Sequence, residues 1–174
     1  MAEITLRPAT VEDAPILQGW DLDPAVIAAT TDDAAAEQAF GDHDWNVELL
    51  QQTPDSYFLI AECDGVPIGA MQIIDPHHEP THYWGTVPEH LRAIDIWIGA
   101  AADRGKGYGS AMMRLAHALC FADPTVTAIV IDPLASNTRA IAFYRRLGYE
   151  SVERRMFAED DCHVHRLERT AWRP

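Results

Sequence analysis

Arg104-Gly105-Lys106-Gly107-Tyr108-Gly109-Ser110 gathers three of the chain's ten glycines and its only lysine into seven residues. Glycine lets the backbone approach a ligand closely and adopt positive φ. If the segment opens a helix, its free N–H groups and the helix dipole face an anion. The chemistry this predicts is the binding of a phosphate or pyrophosphate. Two familiar phosphate motifs are excluded. A P-loop needs G-x-x-x-x-G-K-[ST], and no Lys-Ser/Thr pair follows a glycine here. The dinucleotide fingerprint needs G-x-G-x-x-G, whereas this spacing is G-x-G-x-G. Taken alone, the segment reads either as an anion loop or as a tight strand-to-helix turn.

The elements around the loop are legible in outline. Ile4-Thr5-Leu6-Arg7 alternates as a first strand. Thr10 reads as the N-cap of a helix over Val11–Trp20. Residues 21–55 are acidic and helix-like in pieces, the best being Trp45–Gln52, which Pro54 stops. Ser56–Cys63 and Val66–Ile74 are apolar strands, and Asp64-Gly65 between them is a hairpin signal. Residues 75–90 carry three prolines and four histidines and read as a loop. Ala93–Ile98 is a buried strand. The helix after the glycines is predicted to place Tyr108, Ala111, Met112, Leu115 and Leu119 on one face. Val126–Ile131 is a strand buried on both faces. Ser136 or Asn137 caps another helix, which Gly148 ends. Strands near Glu150–Phe157 and Cys162–Arg169 complete an α/β domain with a mixed sheet.

Composition narrows the partners. The 174 residues suit one domain with a full core, and the 48% apolar content excludes a disordered chain. The net charge of −14 argues against nucleic acid or an anionic membrane as partner. It is unevenly spread: residues 1–100 hold two basic and 18 acidic residues, and residues 101–174 hold 11 basic and nine acidic. No apolar run approaches a membrane span, and Met1-Ala2-Glu3-Ile4-Thr5 does not read as a signal peptide. Three widely spaced cysteines, Cys63, Cys120 and Cys162, predict no disulfide framework and a cytoplasmic location. His77, His78, His82 and His90 crowd one loop and His163-x-His165 shares a strand face. Neither set has the close Cys or carboxylate partners of a metal site, so no metal is predicted.

Arg104, Gly107 and Gly109, in the form R-x-x-G-x-G, are similar to the pyrophosphate loop of the GNAT superfamily of acyl-CoA-dependent N-acetyltransferases. A second block about 30 residues on resembles that superfamily's next strand–helix–strand unit. It runs Asp132-Pro133, then Ser136-Asn137-x-x-Ala140-x-x-Phe143-Tyr144-x-x-x-Gly148-Tyr149. Ile94-Asp95-Ile96-Trp97-Ile98-Gly99, Phe121-Ala122-Asp123-Pro124 and Asn137-x-Arg139-Ala140-Ile141 resemble the aminoglycoside 6′-N-acetyltransferase branch most. The resemblance is close over residues 91–150. It implies a mostly antiparallel sheet with two central parallel strands that splay apart, flanked by helices. It also implies three parts of one domain spanning 1–174: an acidic acceptor side (1–90), an acetyl-CoA-binding core (91–150) and C-terminal strands (151–174).

The roles that follow are those the resemblance implies. Acetyl-CoA is held by Ile96, Trp97 and Ile98, by Arg104, Gly105, Lys106, Gly107, Tyr108, Gly109 and Ser110, and by Asn137, Ala140 and Tyr144. The pantetheine arm lies between Ile96–Ile98 and Ala128–Ile131. Arg104, Lys106 and Arg139 either meet phosphates or are solvated surface charges. A backbone N–H at Ile98 or Gly99 is the expected oxyanion donor. Tyr144 is the expected general acid, although its helical spacing with Ala140, Ile141 and Leu147 reads by itself as a core face. The acceptor amine must lose a proton, and Asp95, Glu79, His82 and Asp132 are the candidate bases, Asp95 foremost. Asp132 reads equally as a turn former before Pro133. Trp20, Trp45, Tyr83 and Trp84 are candidate walls of an acceptor site, with Asp21, Asp23, Asp32, Asp33, Glu37, Asp42 and Asp44 around it. Carboxylates beside aromatic faces suit a polycation. The expected acceptor is a small cationic amine, foremost the 6′-amine of an aminoglycoside, in an antibiotic-resistance role. A siderophore precursor, a polyamine or a protein N-terminus is the alternative, and a non-catalytic acyl-CoA sensor is the third reading. The chain is expected to be a monomer or a homodimer.

Overall fold

The computed structural model describes residues 3–174, so Met1 and Ala2 of the stretch read for a leader lie outside the described residues. One seven-stranded sheet organises the rest. Its strands are β1 (Ile4–Pro8), β2 (Ser56–Cys63), β3 (Val66–Ile74), β4 (Leu91–Ile98), β5 (Ala128–Ile131), β6 (Glu150–Phe157) and β7 (Asp160–Glu168), in the order β1-β2-β3-β4-β5-β7-β6. Every neighbouring pair is antiparallel except β4–β5. Asp64 and Gly65 both take positive φ, as a two-residue hairpin turn between twisted strands requires.

The helices are α1 (Ala14–Asp21), α2 (Pro24–Thr30), α3 (Trp45–Leu50), α4 (Tyr108–Ala122) and α5 (Thr138–Arg146). Alternate residues of a strand face opposite sides of the sheet. Ile94, Ile96 and Ile98 join the core under α4 and α5, whereas Trp97 joins the core under α1 and α3. Ala93 packs in a third cluster with Trp84, Val130 and Phe157. Parity therefore places Asp95 on the second face, between the α1/α3 core and that third cluster.

The expected Val11–Trp20 helix begins instead as a 3₁₀ turn, Val11–Asp13, before α1. Pro15 follows immediately inside α1, where its missing N–H costs nothing. The third helix stops at Leu50, short of the expected Gln52, whose side chain instead donates to Ala9 O and Leu49 O. The predicted face of α4 is corrected. Met112, Met113, Ala116, His117 and Cys120 are buried, whereas Leu115 and Leu119 are 39% and 44% exposed. Small residues at Ala116 and Cys120 let the helix approach the sheet. His117 faces inward because the Tyr149 hydroxyl meets its Nε2 at 2.9 Å.

Candidate active site

The central strands create an opening. Residues of β4 and β5 pair at Leu91–Ala128, Arg92–Ile129 and Ala93–Val130, and no further. The same offset would set Asp95 opposite Asp132. The ladder stops before it reaches these two acids, which therefore flank the parted strands. The far side of the gap is thus the segment from Ile131 to Asn137, while Ala128–Val130 remain paired to β4.

Beyond the split, β4 presents a free backbone edge. Gly99 N–H donates to Ile68 O at 2.9 Å, which fixes the phase of the β3–β4 ladder. Hydrogen-bonded residues alternate in an antiparallel pair. The main-chain groups of Asp95 and Trp97 and the Gly99 N–H therefore face β3, and the main-chain groups of Ile96 and Ile98 face the gap, where Ile98 O also accepts from Arg104. Of the two expected oxyanion donors, Gly99 is occupied and Ile98 is available.

The glycine segment sits at the mouth of this gap. Gly105 and Gly107 adopt φ of 77° and 84°, and Gly107 caps α4. Ser110 and Ala111 donate their N–H groups to Gly107 O, closing the first turn. The five consecutive N–H groups of residues 105–109 donate to nothing among the described residues. A row of free amides at a helix start is an anion cradle. Arg104 holds it in place: it donates to Gly99 O (2.6 Å) and Ile98 O (3.4 Å) and pairs with Asp23 (2.8 Å), the N-cap of α2. Lys106 and Tyr108 turn aside. Lys106 pairs with Asp103 at 3.1 Å and lies over the Tyr108 ring, while the Cys63 thiol points at the Tyr108 hydroxyl at 3.5 Å.

The amide row, the free edge and the carboxylates line one cleft of about 1430 Å³. Ile96, Trp97, Ile98, Arg104, Gly105, Gly107, Gly109, Ser110, Asn137, Ala140 and Tyr144 of the expected cofactor set face it, as do Asp95, Asp132, Glu79, Tyr83 and Trp84 of the expected acceptor set. Asn137 caps α5, its Oδ1 accepting from Ala140 N–H at 3.0 Å. Trp20 is not a wall. It packs over Gly99, where a side chain would overlap its indole. Trp45 is likewise core, donating to buried Asp21 at 2.7 Å. Glu79 is spent on its own loop, accepting from Thr81 N–H, Thr81 hydroxyl and Tyr83 N–H. Trp84 is 4% exposed and anchors the loop against Phe157. Several acids of residues 21–44 prove structural. Asp23 and Asp44 cap helices, Asp33 accepts from Ala35 N–H, and Asp32 accepts from Ser136 hydroxyl. Phe40, His43, Asp160, Arg139 and Arg146 also line the cleft. Apart from Arg139, which the second block contains, no motif marks them, because folding alone brings them there.

The electrostatics converge on three groups. Burial raises the Asp95 carboxyl above the usual range. Burial, then the charge of Asp95, raises Asp132, against a Tyr83 hydroxyl that donates to it at 2.7 Å. Burial, then both carboxylates, raises the Tyr144 phenol, so it is neutral and protonated at neutral pH. The Tyr144 ring stands edge-on to Tyr149 at 5.8 Å, which fixes its orientation.

A splayed parallel pair beside a helix-start amide row defines the class, an acyltransferase fold built to lay an extended, phosphate-bearing ligand along an open strand. The chain belongs to the GNAT acetyltransferase family: the family model "Acetyltransferase (GNAT) domain" matches residues 9–157. The chain is 36% identical over 103 residues to an aminoglycoside N(6′)-acetyltransferase type 1 of Klebsiella pneumoniae, a match covering 59% of this chain and half the length of that relative. Among solved structures it resembles AAC(6′)-Ib in complex with ribostamycin and coenzyme A (27% identity, 97% of this chain, 95% of that chain, TM-score 0.84). It is also similar to the aminoglycoside acetyltransferase AAC(6′)-Ib in complex with coenzyme A and kanamycin (28% identity, 97% and 96% covered, TM-score 0.82).

Proposed function

We propose that this chain is a single-domain, acetyl-CoA-dependent N-acetyltransferase acting on a primary amine of a polycationic small molecule, foremost the 6′-amine of an aminoglycoside. The observation that carries the reading is the meeting, in one cleft, of five free amides, an open strand edge and two facing carboxylates. The residues fit the cofactor: the amides of Gly105–Gly109 suit its diphosphate, and the Ile96 and Ile98 main chain with Asn137 suits its pantetheine amides. When bound, acetyl-CoA supplies the activated acyl thioester.

The chain's own groups then divide the work. Ile98 N–H, facing the gap, would be the donor that stabilises developing oxyanion charge on a bound thioester. The Asp95–Asp132 pair, with one negative charge between its two carboxyls, attracts an ammonium and takes its proton, leaving a neutral nucleophile. Tyr144, kept protonated by its surroundings, donates to the departing thiolate. Acidic and aromatic groups beyond, including Glu48, Asp160, Phe40 and Trp97, suit a cation with an apolar ring face. No helix among the described residues is long and apolar enough to cross a membrane, and we place the protein in the cytoplasm. The test is release of CoA from acetyl-CoA against kanamycin, ribostamycin, polyamines, hydroxylysine analogues and a basic peptide. Turnover selective for aminoglycosides supports the reading. Preference for another amine overturns the acceptor, and CoA binding without any turnover points to a sensor.

A further inference from the structure

We propose that Tyr83 is a positioning residue that makes the two facing carboxylates unequal: its hydroxyl keeps Asp132 ionised to receive the acceptor's ammonium, while Asp95 carries the proton the pair shares. The assignment of an ammonium ligand rests on the acetyltransferase reading; the inequality of the two acids does not. Tyr83 is 49% exposed and lies in the loop between β3 and β4, where a free side chain would sample several rotamers. Here backbone and ring contacts hold it. Its N–H donates to Glu79 at 2.7 Å, and Glu79 is itself 4% exposed and bonded to Thr81. His82 takes φ of 52°, and Gly85 N–H closes the turn on His82 O at 2.8 Å. The phenol ring stacks on Phe157 with centroids 4.7 Å apart and planes 11° from parallel. Arg155 clamps the far side, donating to Trp84 O while lying over the Phe157 ring. This clamp delivers one hydroxyl hydrogen to Asp132 Oδ2 at 2.7 Å.

Asp95 has no hydrogen-bond donor among the described residues. Two neighbouring carboxyls partly withdrawn from water hold one proton between them. A donor to one member favours its charged form, so the proton settles on the other. Burial and the neighbouring acid act the other way, raising Asp132 to about 7 and Asp95 to about 6, so the Tyr83 hydroxyl must outweigh the larger rise at Asp132. The remaining groups that face Asp132 add nothing against it. Tyr144 from α5 and Cys162 from β7 are neutral, their acidities suppressed by burial and then by the carboxylate charge. Arg155 from β6 is the one cation, and its charge also favours an ionised Asp132.

The test is carbon-13 NMR titration of Asp-labelled protein, free of cofactor and acceptor, with Asp95→Asn and Asp132→Asn assigning the two Cγ signals. The expected result is a single protonation near neutrality at Asp95, with Asp132 at its ionised shift. Tyr83→Phe keeps the stack on Phe157 and removes only the hydroxyl. It should raise the Asp132 midpoint by about one pH unit or more. Fluorotyrosine at position 83, a stronger donor, should lower it. In the active enzyme, Tyr83→Phe should move the acidic limb of kcat/KM for the amine upwards and leave KM for acetyl-CoA unchanged. A wild-type proton on Asp132, or an Asp132 titration indifferent to both Tyr83 variants, overturns the proposal. A merely structural Tyr83 would lower Tm and leave the titration unmoved. Because the titration needs no substrate, it stands or falls apart from the acetyltransferase reading.

Discussion

Tyr144 illustrates how one residue can satisfy two readings. Its spacing with Ala140, Ile141 and Leu147 gives an apolar helix face, and it is indeed 9% exposed. Yet its hydroxyl bonds to nothing among the described residues and lines the cleft. Tyr144→Phe should lower kcat about 10²-fold while CoA affinity, read by calorimetry, stays within about twofold. Asp95→Asn should lower kcat/KM for the amine by a similar factor and leave CoA binding unchanged. Asp95 and Asp132 were visible in the sequence as lone acids in or beside apolar runs. Their pairing was not, because it depends on a 37-residue register that only the sheet reveals. Glu79 and Trp20 show the converse. Each has a plausible residue type for a site and is consumed by packing or loop hydrogen bonds.

At the scale of elements, turn and cap chemistry made the fold readable. Asp64-Gly65, Asn137 and Gly148 act as local signals, and each stands where its backbone requires it. The alternating and all-apolar strands were equally clear. The phase of α4 is not legible from its large leucines, because Ala116 and Cys120 face the sheet and their small size lets the helix seat there. Gly99 carries a testable consequence. A Cβ there would overlap the Trp20 indole, which joins α1 to the end of β4. Gly99→Ala should cost about 1–3 kcal/mol, measured by urea denaturation, since a well-packed neighbour must shift. Gly107 holds the αL position that caps α4, and Gly107→Ala should weaken CoA binding more than it lowers Tm.

At the scale of the whole molecule, charge and pH are the levers. The acidic excess of residues 1–100 was plain from composition; which acids reach the cleft was not, since most cap helices or pair internally. Steering of a polycation by such a field is screened by salt. KM for a polycationic acceptor should therefore rise several-fold between low and high ionic strength, with KM for acetyl-CoA rising less. Two buried groups give stability opposite pH slopes. Burial lowers His117 to about 4, below its ordinary 6.5, so the unfolded chain binds more protons in that window. Its contribution is full above pH 6.5 and is lost as pH falls through 4, by at most about 3 kcal/mol. Burial raises Asp21 to about 6 from 3.8, so its contribution is full below 3.8 and is lost as pH rises through 6. Asp21→Asn keeps an acceptor for the Trp45 indole. It should stabilise the protein by about 1–2 kcal/mol at pH 7.5, and not at pH 4, in denaturation curves. The most direct measurement is the structure of the product formed from acetyl-CoA and kanamycin, by mass spectrometry and NMR. One acetyl group is expected on the 6′-nitrogen, in step with CoA released, and strongly diminished in Tyr144→Phe and Asp95→Asn. Unmodified kanamycin in the presence of bound acetyl-CoA, or turnover undiminished in both variants, would contradict it.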